Sequence, residues 1–442
     1  MIRLQSIEHD GQRIPLTSSN AFYSKANVFT VIVGKNGVGK SRLLSTIARQ
    51  CIAPSEEYDG RFASRSQQAS PVVIAASTSP FDKFPSPQRR RGQAEKNYRY
   101  IGMRGEGMYA ATSSVALLSS VTRGMLLKLL QGGNRANLLE LFSSLSFDSS
   151  FEFILKPMFS PTMAPGFGRI RALEGRREYF IDQRFGERLS RMSMDERSAI
   201  EYAIDNVGEF FDRRKVFGLR IDFSTGESSL QQRRIEAFEL NSILMLMEAG
   251  LVRLMDIRGS KRDQGEISLR SASSGEQCVL VLVLGIASYI ENGSLILIDE
   301  PEISLHPEWQ EGFMGLLMSC FANYSQCQFV IATHSPQITA RLSGATSFVY
   351  SLSKKTLIRA SEFSDRSADF QLAELFDSPG RMNEYVSRIS FNLIAVIRAG
   401  KAAESETKEG MVRLVALKAK IDFRDPMFQL IESVEELYRQ NG

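Results

Sequence analysis

The sequence predicts an α/β fold in which a mixed, largely parallel sheet is joined to an inserted helical subdomain and a helical C-terminal tail. Three short runs, at residues 28–33, 294–298 and 328–332, are mostly apolar and carry β-branched residues. Such runs are typical of parallel strands that are covered on both faces. The first run leads directly into a glycine cluster at residues 34–41, and a helical pattern follows the cluster.

The helix and strand patterns divide the chain into four segments. Residues 1–105 contain short strands and the glycine cluster, and form the first part of the predicted core. Residues 106–230 are predicted to be a mainly helical subdomain inserted into that core. Residues 231–365 resume the core, beginning with a predicted helix at 233–255. Residues 366–442 are predicted to form a helical C-terminal region.

Composition places the chain among ordinary globular proteins. Its 442 residues are 43% hydrophobic and 24% charged, and the net charge of +4 is too small to indicate nucleic-acid binding by itself. No apolar run reaches about 18 residues, so no membrane-spanning helix is expected. Four cysteines without C-x-x-C spacing predict free thiols in a cytoplasmic protein. With only three histidines, a histidine-dependent nuclease site is not expected.

The glycine cluster, GKNGVGKS, fits the pattern G-x-x-x-x-G-K-[ST] without a mismatch. Glycines allow a tight loop whose backbone N–H groups point at phosphate oxygens, and the next helix presents the positive end of its dipole to them. Lys40 is predicted to reach the β- and γ-phosphates of ATP, and Ser41 to ligate Mg²⁺. The predicted ATP-binding residues are Gly34, Asn36, Gly37, Gly39, Lys40, Ser41 and Arg42.

An acidic pair follows the apolar run at residues 295–298. The predicted strand carries Asp299 and Glu300 to its carboxyl end, where open α/β sheets bind ligands. Asp299 is predicted to hold Mg²⁺, directly or through water, and Glu300 to polarise the attacking water as a general base. A strand that ends in a solvated acidic turn is the alternative interpretation.

The third motif is Ser273-Ser274-Gly275-Glu276-Gln277, directly before an apolar helical pattern. With it the sequence resembles the ABC-type ATPases, the group that contains transporter motors and the SMC, Rad50 and RecF proteins. Their signature is usually L-S-G-G-Q. This chain keeps Ser274, Gly275 and Gln277, and departs from the pattern at the other two positions. The same residues also fit a helix N-cap.

The resemblance continues along the chain in the family's order. His306 lies in the segment that matches the family's D-loop and is expected to be structural. His334 stands at the place of the switch histidine, which implies that it hydrogen-bonds the γ-phosphate and holds the attacking water. The family's glutamine loop has no clear counterpart, which leaves Ser79 and Asp82 as candidates for part of its role.

In the ABC-type ATPases the signature closes on a nucleotide held by another subunit, so the resemblance implies a shared site. The chain contains one set of motifs, which predicts a head-to-tail homodimer or a larger oligomer. Lys40 and Glu300 of one copy are expected to act with Ser274 and Gly275 of another.

Among these ATPases, the chain resembles the compact members. No long coiled coil separates its motifs, as in SMC and Rad50 proteins, and nothing indicates coupling to a membrane transporter. Residues 77–84 and 367–376 are similar to the ATPases of anti-phage systems, especially the PtuA-type ATPases of Septu and of some retrons. The resemblance implies an ATP-hydrolysing sensor or regulatory subunit of a defence complex.

A nuclease site is not predicted in this chain. The tail acids Asp365, Asp369 and Asp377 lack the D-x-D spacing of the Toprim domain found in OLD-family nucleases. A partner effector such as an HNH nuclease is therefore expected. The helical segment 381–442 is its candidate dock or, alternatively, a cap on the core. The alternative function is a RecF- or Rad50-like repair ATPase that acts on DNA.

A basic segment is a candidate contact for nucleic acid. Residues 89–104 contain six Arg or Lys side chains against one acidic side chain, with Tyr98 and Tyr100 interleaved. This pattern predicts either contacts with DNA or retron RNA/DNA, or a solvated loop. The infection trigger, the effector and the number of subunits beyond a dimer are not identified by the sequence.

Overall fold

A computed structural model describes residues 3–52, 71–85, 97–104, 114–132, 135–160, 167–171, 178–182, 186, 189, 192–211, 216–262, 265–270, 274–303, 305–363 and 366–441. In chain order, the strands there are β1 (Ser6–His9), β2 (Gln12–Pro15), β3 (Val28–Val33), β4 (Val73–Ser77), β5 (Tyr98–Gly102), β6 (Phe147–Pro157), β7 (Phe159–Ser160), β8 (Phe167–Arg171), β9 (Glu178–Asp182), β10 (Phe217–Asp222), β11 (Ser228–Leu230), β12 (Arg233–Ile235), β13 (Val252–Lys261), β14 (Gly265–Ser268), β15 (Leu295–Asp299), β16 (Gln328–Thr333), β17 (Ser347–Ser351) and β18 (Thr356–Arg359). The helices are α1 (Ser19–Phe22), α2 (Lys40–Cys51), α3 (Ser114–Leu130), α4 (Ala136–Ser144), α5 (Met194–Val207), α6 (Ala237–Ala249), α7 (Ser274–Tyr289), α8 (Pro307–Cys320), α9 (Pro336–Ala340), α10 (Ala368–Glu374), α11 (Glu384–Arg398), α12 (Ser405–Lys418) and α13 (Pro426–Asn441).

The larger of the two main sheets has seven strands in the order β18-β17-β3-β16-β15-β4-β5, and all neighbours except β17 and β18 run parallel. Every residue of β3, β15 and β16 is buried, because α2 covers one face and α3, α7 and α8 contribute to the core on the other. The predicted α/β fold with a parallel-rich sheet is confirmed. Its carboxyl edge brings together the segments that follow β3, β15 and β16.

The prediction of a mainly helical insertion at residues 106–230 does not include the strands that the structure has there. This segment contains helices α3, α4 and α5, but it also contributes β6, β10 and β11 to a second, antiparallel sheet. That sheet has six strands in the order β12-β11-β10-β6-β13-β14. Three of its strands come from beyond residue 230, so the sheet spans the predicted boundary between the insertion and the core. Strand β6 alternates buried and more exposed residues because one face packs on the core.

The predicted helix at residues 233–255 is shorter than expected. The structure has strand β12 before it, helix α6 over 237–249, and strand β13 after it. Gly250 ends the helix with a left-handed backbone, φ +80°, and donates its N–H to the Leu246 and Met247 carbonyls. This is the usual way in which glycine terminates a helix, because it has no Cβ to clash there.

The C-terminal region is helical, as predicted. Helices α11, α12 and α13 share a small apolar core that also includes Ala373 of α10. Glu374 links this region to the rest of the chain, since its carboxylate contacts Lys354 at 3.1 Å and Arg413 at 2.6 Å. Large apolar side chains remain exposed on the region, namely Met382, Phe391, Val412, Val415 and Phe423. Among the described helices, none is long and apolar enough to cross a bilayer.

Candidate functional site

The phosphate-loop residues lie between β3 and α2, as the motif predicts. Gly37 and Gly39 have left-handed backbones, with φ of +81° and +102°, which side chains other than glycine rarely adopt. A Cβ added to Gly39 would lie 3.1 Å from Nη2 of Arg42, so the Arg42 guanidinium folds back over the loop. Residues 35–38, which include Asn36, are exposed. The loop therefore presents its backbone to solvent.

Lys40 is the first residue of α2 and is buried, with only 4% of its surface exposed. Its ammonium donates to the carbonyls of Gly34 at 2.9 Å and Lys35 at 3.2 Å. Burial lowers the pKa of Lys40, while the neighbouring carboxylates of Glu300, Glu302 and Asp299 act to raise it. The lysine is thus held against the loop by carbonyl groups, with three carboxylates in electrostatic range.

Ser41 and Asp299 lie together at the sheet edge. The Ser41 hydroxyl donates to Oδ1 of Asp299 at 3.0 Å, and the Ser77 hydroxyl donates to the Asp299 carbonyl at 3.2 Å. Burial raises the pKa of Asp299 to about 7, and Glu300, Asp82 and Glu302 add to the rise, while the Ser41 hydrogen bond opposes it. A buried carboxyl group beside a hydroxyl offers the oxygen ligands that Mg²⁺ prefers, and a cation would relieve its desolvation.

The pair thus fits Mg²⁺ bound by few protein ligands and several waters or phosphates. In the described part of the chain, no group of three or more His, Cys, Asp or Glu side chains forms a metal cage.

Glu300 and His334 meet at the same edge. Glu300 has a left-handed backbone, φ +49°, and its N–H donates to the Ala332 carbonyl at 2.9 Å. An Oε1–Nδ1 distance of 3.8 Å separates Glu300 from His334. A non-glycine residue in this conformation is uncommon and often marks a functional site. The two predicted catalytic side chains are therefore neighbours.

Glu302 is a residue of this edge that none of the sequence motifs marks. It is 6% exposed, and its Oε1 accepts a hydrogen bond from the His334 backbone N–H at 2.7 Å. The same oxygen lies 3.1 Å from Nδ1 of His334. The signal available in the sequence was an acidic residue directly after Pro301, but nothing local tied it to a histidine more than thirty positions away.

The signature residues are only partly described. Ser274 is the first residue of α7 and Gly275 is buried in its first turn. Ser273 and the side chains of Ser274 and Gln277 lie outside the described residues. The contact of this segment with a nucleotide on another subunit therefore stays a prediction. His306 caps α8 through its backbone without a side-chain capping hydrogen bond.

The two candidates for the missing glutamine loop differ. Asp82 is occupied elsewhere, because it accepts hydrogen bonds from Tyr100 at 2.7 Å and from Arg104 at 3.1 Å. Ser79 is buried, and its hydroxyl accepts from the Phe81 N–H at 3.2 Å. Asp82 therefore anchors this loop, and a role for Asp82 or Ser79 near Mg²⁺ stays a prediction.

The basic segment does not provide the predicted stacking surface. Residues 86–96, with four of its six basic side chains, lie outside the described part. Tyr98 and Tyr100 are 4% and 7% exposed, so neither ring is free to stack on a base. Arg104 donates to Asp82, and the Arg99 guanidinium lies 5.8 Å from the Tyr289 ring centroid. The aromatic part of the nucleic-acid hypothesis is wrong for these two residues.

Comparison with known proteins shows that parts of the chain are similar to ATPases. Residues 186–340 match the family described as "AAA domain, putative AbiEii toxin, Type IV TA system". This range begins after the phosphate loop and contains Ser274, Asp299, Glu300 and His334. The assignment of the phosphate loop, residues 34–41, rests instead on its sequence pattern and on its geometry between β3 and α2.

Three relatives share parts of the chain. It is 31% identical over 108 residues to the Retron Ec83 probable ATPase of Escherichia coli, covering 22% of this chain and 18% of that protein. It is 36% identical over 88 residues to the Retron Vc95 probable ATPase of Vibrio cholerae serotype O1 biovar El Tor, covering 17% and 16%. It is 27% identical over 149 residues to the Septu protein PtuA of Bacillus thuringiensis, covering 29% and 37%.

The aligned parts span well under two thirds of each relative, so the similarity concerns a portion of those proteins. Two of the three relatives are named as probable ATPases, and the family match independently gives an AAA domain. The chain is therefore similar to an AAA-domain family over residues 186–340, and parts of it are similar to the retron ATPases and to the Septu protein PtuA.

Proposed function

We propose that this chain binds and hydrolyses ATP as the sensor or regulatory subunit of an anti-phage defence complex, and that it controls a partner effector nuclease. The observation that carries the ATPase proposal is the convergence of Lys40, Ser41, Asp299, Glu300 and His334 on one edge of the parallel sheet. Relatedness to retron and Septu proteins supports the defence setting.

In the proposed reaction the loop backbone and Lys40 bind the phosphates of ATP. Ser41 and Asp299 would hold Mg²⁺, which neutralises charge on the β- and γ-phosphates when it is bound. Glu300 accepts a proton from the attacking water, and its position near His334 suits a shared contact with that water and the γ-phosphate.

The active unit in this proposal is a head-to-tail homodimer or a larger oligomer. The chain has one phosphate loop and one signature, and Ser274 and Gly275 at the start of α7 are proposed to close on ATP held by a second copy. ATP would join the two copies, and its hydrolysis would release them. This cycle would report the nucleotide state to a bound effector.

The effector is proposed to dock on residues 381–442, which lie within the C-terminal helical region. Its exposed apolar side chains include Phe391, Val412 and Phe423, with exposed fractions of 59%, 72% and 67%. Exposed large apolar groups of this kind favour a protein partner. An HNH nuclease is the partner class we propose, because the sequence predicts no nuclease site in the chain itself.

The test uses a Glu300→Gln variant, which should retain ATP while slowing its hydrolysis. The complex is purified with ATP and Mg²⁺ from cells that carry the native neighbouring genes, and its mass is measured by light scattering. Glu308→Gln is the matched control, since Glu308 is an exposed carboxylate on the nearby helix α8. ATP hydrolysis is measured on both variants and on wild-type protein.

A stable oligomer of the Glu300→Gln protein that carries a nuclease would support the proposal and identify the effector. An oligomer that carries only DNA, with hydrolysis stimulated by DNA, would replace it with the repair ATPase. A strict monomer with bound ATP would contradict the shared site. Loss of hydrolysis in the Glu308→Gln control would show that the measured effect is not specific to Glu300.

A further inference from the structure

We propose that Glu302 is the positioning residue for His334, and that its buried carboxylate fixes the imidazole so that Nε2 faces the reacting phosphate. The inference rests on the proposed ATPase function and adds one residue to it. Glu302 lies in the turn between β15 and α8, two residues after Glu300. It is neither the general base nor a magnesium ligand in the proposed reaction.

The carboxylate holds His334 at two points. Oε1 of Glu302 accepts from the backbone N–H of His334 at 2.7 Å and lies 3.1 Å from Nδ1 of the ring. A carboxylate can only accept, so we infer that Nδ1 carries a proton directed at Oε1. The other ring nitrogen, Nε2, lies on the opposite side of the imidazole. In this proposal the carboxylate sets the rotation and the tautomer of the ring, as the partner of one nitrogen sets the state of the other.

Glu302 is a closer partner of His334 than Glu300 is. The Glu300 Oε1 lies 3.8 Å from the same Nδ1, beyond hydrogen-bonding distance. Glu302 is also the more enclosed of the two, with a side chain 4% exposed against 26% for Glu300. His334 itself is 39% exposed. The buried carboxylate of Glu302 thus lies behind His334, whose outer edge is exposed and can contact a ligand.

The second carboxylate oxygen of Glu302 also indicates a functional role for this residue. Oε2 is buried and has no hydrogen-bond partner among the described residues. Burial is the main influence on two nearby groups, since it lowers the pKa of Lys40 and raises the pKa of Asp299. The charge of Glu302 adds a smaller upward shift to both pKa values. An acid that is buried, half unsatisfied and close to these groups is costly to the fold, which is typical of functional sites.

The consequence is a specific kinetic signature. Lys40 and the loop backbone bind ATP without help from Glu302, so its removal should leave the KM for ATP nearly unchanged. A ring that is free to rotate would spend little time in the productive orientation, and misplacement by about 1 Å can cost on the order of 100-fold in rate. We expect the loss to appear in kcat.

The experiment compares Glu302→Ala and Glu302→Gln in the full-length protein. Glu302→Ala is expected to lower kcat about 30- to 100-fold and to change KM less than about 3-fold. Glu302→Gln keeps an acceptor oxygen for both His334 contacts and is expected to recover most of the rate. Glu308→Ala serves as the exposed control and should match wild type. Equal kcat in Glu302→Ala and wild type would overturn the inference.

A double-mutant cycle separates positioning from a general effect on the fold. His334→Ala removes the ring, so adding Glu302→Ala to it should cost less than about 2-fold more if Glu302 acts through His334. Losses that multiply would contradict that route. If wild-type protein itself does not hydrolyse ATP, the proposed function fails, which is a different outcome from active wild type with an active Glu302→Ala variant.

The tautomer of His334 can also be measured without an activity assay. The chain has only three histidines, so selective ¹⁵N-histidine labelling gives few signals, and substituting His9 and His306 assigns the third. The inference predicts a proton on Nδ1 of His334 in wild-type protein. A tautomer with the proton only on Nε2 would overturn it, whether or not the Glu302 variants fold.

Discussion

The two main sheets bury their strands in different ways. In the parallel sheet every residue of β3, β15 and β16 is buried, so polar groups appear mainly where the chain leaves a strand. In the antiparallel sheet β6 and β10 alternate, and side chains such as Glu152, Arg220 and Arg258 line a more open face. The first arrangement places few groups at fixed positions, while the second spreads many over a solvated surface.

The difference in burial determines how much each polar contact contributes to stability. Ser41 donates a hydrogen bond to the buried Asp299, and burial raises the pKa of the Asp299 carboxyl group to about 7. Arg258 on the open face lies 3.6–3.9 Å from three carboxylates and is 45% exposed. Exposed pairs of this kind typically contribute about 0–1 kcal/mol. Substitutions at the parallel edge should therefore have far larger effects than those on the open face.

The largest effect is expected in the phosphate loop. Lys40→Met removes the buried ammonium that faces the loop, and we expect ATP affinity and ATPase rate each to fall by about 100-fold or more. Binding of a fluorescent ATP analogue and phosphate release would measure the two. Lys35→Met is the matched control in the same loop, because Lys35 is exposed. Similar losses in both variants would mean that loop charge, and not the position of Lys40, matters.

A second prediction compares the packing of the two sheets. Leu297→Ala in β15 should lower the free energy of unfolding by about 2–5 kcal/mol, because Leu297 is fully buried between helices and sheet. Ile154→Ala, on the partly exposed face of β6, should cost about 1 kcal/mol. Urea unfolding of both variants measures the difference. Equal costs would show that the open face is covered by another part of the assembly.

The third prediction concerns the charge on Asp299 without Mg²⁺ or nucleotide. Because its pKa is about 7 in the folded protein, against an ordinary value of 3.8, the folded protein loses stability as pH rises between those values. Asp299→Asn should therefore be more stable than wild type at pH 8. The advantage should fall by about 2 kcal/mol on lowering the pH to about 5.5.

Thermal or urea unfolding in EDTA at the two pH values measures this change. Asp148→Asn is the control, since Asp148 is exposed on β6 and should shift stability little at either pH. An Asp299→Asn advantage that does not depend on pH would mean that the substitution acts by packing rather than by removing a buried charge.

The residues at the carboxyl edge of the parallel sheet could be predicted because their sequence motifs are local. Residues 34–41 have a fixed spacing, and Asp299 follows an uninterrupted apolar run, so a short stretch specifies each. Glu302 was not predictable in this way, because its contact with His334 joins two strand ends that only the folded sheet brings together. The burial of Tyr98 and Tyr100 likewise depends on tertiary packing and cannot be seen in a basic sequence pattern.

The antiparallel sheet was missed for a similar reason. Strand β6 pairs with β10 and β13, which lie about sixty and one hundred residues later in the chain, beyond any local periodicity window. The turn at Gln231 and Gln232, with φ of +51° and +71°, is also formed by residues that do not usually mark turns. The helical patterns within residues 106–230 favour a helical prediction for the whole segment.

The smallest effect is expected at Arg258. Arg258→Ala should change the free energy of unfolding by less than about 0.5 kcal/mol and the ATPase rate by less than about 2-fold, since water screens its three ion pairs. Urea unfolding at low and high salt tests the screening, with Arg341→Ala as a control at another exposed ion pair. A loss above about 1 kcal/mol would contradict the view of a solvated face. Loss of defence in cells with stability and hydrolysis intact would instead assign this face to a partner, and the contrast between the two sheets would become one between catalysis and recognition.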